Sequence, residues 1–142
     1  MVIKENWGYP NTVWFGIGRS NDLSKACKML NIKKPLLVTD KDLAKKEMVI
    51  NIIEENKKKN LFIDIFSDLK GNPLGSNVKN GVEFFKKGDY DGIVAFGGGS
   101  SLDVGKSIAL QAALNRPLWD FTDGGSFWND NDHVESMAKN RI

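Results

Sequence analysis

The chain has 142 residues, near the commonest domain size, and its 41% hydrophobic and 27% charged residues supply one core with too little charge for disorder. Twenty basic against 18 acidic side chains leave +2, and lysine runs such as Lys57-Lys58-Lys59 sit among acids, which reads as solvated faces and argues against nucleic acid. No apolar run reaches the roughly 20 residues of a membrane helix, no signal-peptide pattern is seen, and one cysteine with one histidine excludes an internal disulfide and a self-contained multi-histidine metal site, so a cytoplasmic protein with no membrane partner is expected.

In chain order, apolar residues alternate between short buried runs and a 3.6-residue stripe, the pattern of an α/β layered domain. Thr12-Val13-Trp14-Phe15 reads as a first short strand. After Gly16-Ile17-Gly18 a helix from about Asn21 carries Leu23, Ala26, Cys27 and Leu30 on one face. Cys27 on that face reads as core, not nucleophile. Pro35 resets the chain, Leu36 to Thr39 forms a second strand, and the next helix sets Ala44, Met48 and Ile52 beside Val49 and Ile53. Leu61 to Phe66 is a third strand. The turn-rich loop from Ser67 to Ser76 leads to a helix marked by Val78, Val82 and Phe85 and ended at Gly88.

Gly92 to Phe96 is continuously apolar, as expected of a central strand in a mostly parallel sheet with helices on both faces. Gly97-Gly98-Gly99 breaks it, and a helix follows with Leu102, Ala109 and Ala112 beside Gly105 and Ile108. From Asn115 no period survives, and Asp120, Asp123, Asp130 and Asp132 interrupt Trp119, Phe121, Phe127 and Trp128. Aromatics without a periodic partner imply a surface completed from outside the segment. His133 is expected in solvent, since Asp130 and Asp132 beside it form no recognised ligand spacing.

The chemistry concentrates in Gly97-Gly98-Gly99-Ser100-Ser101-Leu102-Asp103-Val104-Gly105-Lys106, which starts where a buried strand ends and runs into a helix. Open parallel sheets bind ligands there. Glycines let the backbone approach phosphate oxygens, and the helix's unpaired N–H groups stabilise negative charge. The alternative is a tight turn with Ser100 or Ser101 capping the helix. Counting G-x-G-x-x from Gly97 puts Leu102 where a third glycine belongs, counting from Gly16 puts Asn21 there, and no Gly-Lys-Ser/Thr follows, so neither common nucleotide fingerprint is met.

Asp40 follows the second strand, where it either accepts bonds from adenosine hydroxyls or caps the next helix, with Asp42 an equal cap candidate. Asp103 and Lys106 lie three apart on one helical face, the spacing of a surface ion pair.

Asp91 to Phe96 running into Gly97-Gly98-Gly99-Ser100-x-x-Asp103-x-x-Lys106 resembles the iron-containing alcohol dehydrogenase family. The resemblance extends through Phe15-Gly16-Ile17-Gly18, Leu37-Val38-Thr39-Asp40, Asn72-Pro73 and Gly81-Val82 to Pro117-Leu118-Trp119-Asp120. It implies a Rossmann-like dinucleotide-binding domain over residues 1–128 and an irregular tail over 129–142. The family's helical C-terminal domain, which holds a divalent metal such as iron or zinc, is absent from this chain.

On this resemblance Gly98, Gly99 and Ser100 take the pyrophosphate of NAD, with Gly97 and Ser101 in the same turn. Asp103 and Lys106 then organise the neighbourhood. Asn72 either contacts the nucleotide, as the resemblance implies, or closes an Asx-type turn before Pro73. Glycerol dehydrogenases and dehydroquinate synthases share the glycine run, and Ser100 with Lys106 favours the alcohol branch. The implied reaction is hydride transfer between NAD and a small alcohol or aldehyde. No residue is assigned a catalytic role, no metal ligand is found, the chain by itself is expected to be inactive, and a homo-oligomer is left open. A different reading is a stand-alone nucleotide-binding module without catalysis.

Overall fold

Three parallel strands, β1 (Pro35–Val38), β2 (Asp64–Phe66) and β3 (Gly92–Ala95), lie in the order β2-β1-β3 in the computed structural model, which describes residues 11–69, 71–122 and 125–126. Leu36 lies opposite Asp64 and Ile93, and Val38 opposite Phe66 and Ala95. Pro35 is tolerated in the central strand because it is the first residue, where a donated ladder bond is not required. Asp91 then ties the strand starts together, its carboxylate accepting from Lys33 N at 2.8 Å and Lys34 N at 2.7 Å.

Because strand side chains alternate, β1 feeds two cores. Leu36 and Val38 pack with Phe66, Leu69, Val78, Val82, Val104 and Ile108, beneath α3 (Gly75–Lys87) and α4 (Gly99–Leu114). On the other face Leu37 packs with Cys27, Val49, Leu61 and Ile63, beneath α1 (Leu23–Met29) and α2 (Glu47–Lys57). The parallel sheet with helices on both faces is therefore present, but Gly92 to Phe96, expected as its central strand, supplies the edge strand β3 of the described sheet with half-buried residues, and the central place belongs to β1. Cys27 is buried, and that burial pushes its thiol pKa up, which suits a core residue.

Several local expectations are corrected. Thr12 to Phe15 forms no strand, and Val13 and Phe15 are exposed: alternation alone supplies no partner, and among the described residues no backbone pairs with this segment. Leu30 is exposed because it lies past the last turn of α1. The Ala44-Met48-Ile52 stripe is split at Lys46, whose ψ of 140° separates a short 3-10 turn, Leu43–Lys45, from α2. The buried stripe of α2 is Val49, Ile52 and Asn56, and Met48 is exposed. In α4 the buried residues are Ser101, Val104, Gly105 and Ile108, while Leu102 is exposed. A 3-10 turn, Leu118–Phe121, follows α4, and Trp119 is exposed. Asp123, Phe127, Trp128, Asp130, Asp132 and His133 lie outside the described residues.

Asn56, fully buried, joins α2 to the turn before α1. Its Oδ1 accepts from Ser24 N at 2.8 Å, and its Nδ2 donates to Ile52 O at 2.8 Å and Ser20 O at 3.4 Å. Asn56→Ala leaves a buried N–H without its partner, which costs about 2 kcal/mol. The expected result is a lower urea midpoint with an unchanged m-value.

Candidate functional site

Chain order makes the cleft. From β1 the chain crosses to β2 on one side and then returns to β3 on the other, so the connections diverge between β1 and β3. Such a reversal leaves a crevice outside the carboxyl ends of the two strands. A cleft of about 510 Å³ lies there, lined by Asp40, Lys41 and Asp42 after β1, Leu69 and Gly71 after β2, and Gly98, Gly99, Ser100 and Ser101 after β3.

The glycine run divides into two parts. At Gly97, φ is +133° and an added Cβ would lie 2.8 Å from Ser101 Oγ and 3.0 Å from Leu43 Cδ1, so folding itself requires glycine. At Gly98 and Gly99 an added Cβ would meet nothing within 4 Å, and the Gly98 backbone (φ −83°, ψ −169°) suits any residue. No contact within the described structure demands glycine at these two positions. Both border the cleft, and their missing side chains leave its helix-end wall open to close approach.

Gly98 is the N-cap of α4 and supplies no capping side chain, and no side-chain cap bond is made there. Capping by Ser100 or Ser101, one reading of the sequence, is therefore not what the structure contains, because both lie inside the helix. The first-turn amides of Gly99, Ser100 and Ser101 have no intrahelical carbonyl to bond. Ser101 is almost fully buried yet makes no side-chain hydrogen bond among the described residues. Uncapped amides, two hydroxyls and a positive helix end meet at this corner, a combination whose chemistry suits an anion.

Asp40 has both roles open to it. Its Oδ1 accepts from Asp42 N at 3.0 Å and Leu43 N at 2.9 Å, closing the turn after β1, while Oδ2 takes no bond among the described residues. Asp42 makes no cap bond. Asn72, beside the cleft-lining Gly71, has φ +53° and makes no side-chain hydrogen bond among the described residues. Its Asx-turn reading is not met: Leu74 N, which such a turn would use, donates instead to Asn77 Oδ1 at 2.8 Å.

Asp103 and Lys106 are brought to each other and not to the cleft, Oδ1 to Nζ at 3.0 Å, with side chains 67% and 74% exposed. Sequence reasoning missed Lys41, Asp42, Leu69 and Gly71 as cleft residues. Their signal was position, since each follows the carboxyl end of a strand. Among the described residues no three His, Cys, Asp or Glu side chains cluster as a metal site would need. No helix among them is long and apolar enough to cross a membrane.

Residues 10–138 match the family model for iron-containing alcohol dehydrogenase. The 1,3-propanediol dehydrogenase of Citrobacter freundii is 35% identical over 114 residues, covering 79% of this chain and 30% of that protein. Among solved structures, a 1,3-propanediol oxidoreductase has a TM-score of 0.69 and 36% identity over 72% of this chain and 27% of its own. NADH-dependent butanol dehydrogenase A from Thermotoga maritima has a TM-score of 0.72 and 28% identity over 82% of this chain and 30% of its own. The chain thus spans about 30% of the length of the curated relatives it matches.

Proposed function

Because the chain belongs to the iron-containing alcohol dehydrogenase family, we propose that it is the dinucleotide-gripping part of an enzyme that transfers hydride between NAD and a small alcohol or aldehyde. The observation that carries this reading is Gly98 and Gly99: both border the cleft at an uncapped helix start, and an added Cβ at either would meet nothing within 4 Å among the described residues. When bound, the dinucleotide supplies the hydride acceptor or donor. The amides of Gly99, Ser100 and Ser101 hold its pyrophosphate, with the Ser100 and Ser101 hydroxyls as further donors, and Gly97 sets the turn that aims them.

Asp40 Oδ2 accepts from a ribose hydroxyl while Oδ1 keeps the turn closed, and the Asn72 amide contacts the nucleotide from across the cleft. Asp103 and Lys106, paired on the exposed side of α4, keep an organising role near the cofactor site. The dinucleotide-binding unit is assigned to residues 1–128, the expected tail over 129–142 lies outside the described residues, and the setting is the cytoplasm, without nucleic acid or membrane as partner. Alcohol activation is assigned to metal-binding residues that are not found among the described residues. Association into a homo-oligomer is compatible with this assignment.

The test is cofactor choice. A 2′-phosphate about 4 Å from Asp40 would be repelled by on the order of 4 kcal/mol at an effective dielectric of 20, before screening by salt. A preference for NADH over NADPH of at least about tenfold is expected by calorimetry, and Asp40→Asn, which keeps the turn's acceptor and removes the charge, narrows it. Equal binding of both cofactors by the unchanged chain reduces Asp40 to a turn residue and removes this support.

A further inference from the structure

Asp40 is not alone in setting the charge of the cleft. Lys41, next to it, is the only cation among the described residues lining the cleft. Its Nζ lies 3.2 Å from Asp68 Oδ1, each side chain 53% exposed. Asp68 sits two residues past β2 and is anchored twice from α3: its Oδ2 accepts from Asn80 Nδ2 at 3.3 Å, and its carbonyl accepts from Asn77 Nδ2 at 2.8 Å. Lys41 has a flexible four-carbon stem, so the anchored carboxylate decides where the ammonium goes.

We propose that Asp68 is a specificity-determining residue that acts through Lys41, holding the cleft's cation away from a ribose 2′-phosphate. This rests on the dinucleotide reading and deepens it. A 2′-phosphate entering beside Asp40 and Asp42 needs a cation to offset its charge, and Lys41 is placed to supply one only if it leaves Asp68. An exposed ion pair holds its partners weakly, so the expected effect is a bias and not a block. Two devices then favour NAD: Asp40 repels the extra phosphate, and Asp68 occupies the lysine that would welcome it.

The test is a double-mutant cycle on the full chain, reading dissociation constants for NADPH and NADH by fluorescence titration at low and physiological salt. Asp68→Asn should tighten NADPH about three- to tenfold, leave NADH within about twofold, and lose most of its gain as salt is raised. In the Lys41→Ala background the same substitution should give no NADPH gain. Asp68→Ser, which cannot bond Asn80 in the same way, should behave like Asp68→Asn, and thermal unfolding of each variant confirms the fold. An NADPH gain that persists without Lys41 would mean simple relief of repulsion and would overturn the proposal, as would no gain at all while NADH binds normally. Failure of the unchanged chain to bind NADH overturns the dinucleotide reading and this inference with it.

Discussion

Gly98→Val is expected to weaken NADH binding by about 100-fold, roughly 2.7 kcal/mol, while the protein stays folded. The fold tolerates the change because a Cβ at this position meets nothing within 4 Å and the backbone is already extended. Valine is a poorer N-cap than glycine, so a stability loss of up to about 1 kcal/mol is expected and no more. Binding does not tolerate it, because two methyl groups occupy the approach to amides that have no other partner. Charge-assisted hydrogen bonds at such a site are worth about 1.5–3 kcal/mol each, so losing one or two accounts for the whole effect. Calorimetry with NADH and thermal unfolding on the same variant separate the two quantities. Wild-type affinity in a folded Gly98→Val protein would place the nucleotide elsewhere.

Gly105→Val should act in the opposite manner, unsettling the fold first and the site through it. Gly105 is the point where α4 rests on β3, and an added Cβ would lie 2.7 Å from Ala95 Cβ and 3.5 Å from the Ala95 backbone Cα. Neither atom belongs to a flexible side-chain end. The helix must therefore lift from the sheet, and Val104 and Ile108, which sit on either side in the core, lose contacts with it. Overpacking of this kind costs about 3 kcal/mol, or roughly 10 °C in melting temperature for a domain of this size. Because the first turn of the same helix forms the anion corner, NADH affinity should fall as well. A stability change below about 1 kcal/mol would show that α4 has more freedom over β3 than the packing indicates.

The parts of this molecule that were legible in its sequence are those whose signal is local. Gly92 to Gly99 carries strand, turn and helix start in consecutive residues, and the structure places that junction at the sheet's reversal point. Leu36 to Val38 reads as buried on both faces because no polar residue interrupts it, and all three are completely buried. Thr12 to Phe15 has the same local look. Strand formation also needs a partner, which no window of sequence reveals.

Ala44 and Met48 were misplaced because helical spacing continues through Lys46 although the helix does not. Asp40 reads from sequence as either a ribose contact or a helix cap, and the structure gives its Oδ1 to the turn after β1 while Oδ2 takes no bond among the described residues. The Lys41 to Asp68 contact lay beyond sequence reasoning altogether: 27 residues separate the pair, and their meeting depends on β1 and β2 being neighbours.

Whether the corner formed by Gly98 to Ser101 holds a dinucleotide is tested most directly by amide chemical-shift mapping of the isotope-labelled chain titrated with NADH. Saturable shifts are expected at Gly98, Gly99, Ser100 and Ser101, with further shifts at Asp40 to Asp42 and Gly71, and little change in α1. Shifts confined to the apolar groove between Trp14 and Phe96, or none at millimolar NADH, would contradict dinucleotide binding at this corner.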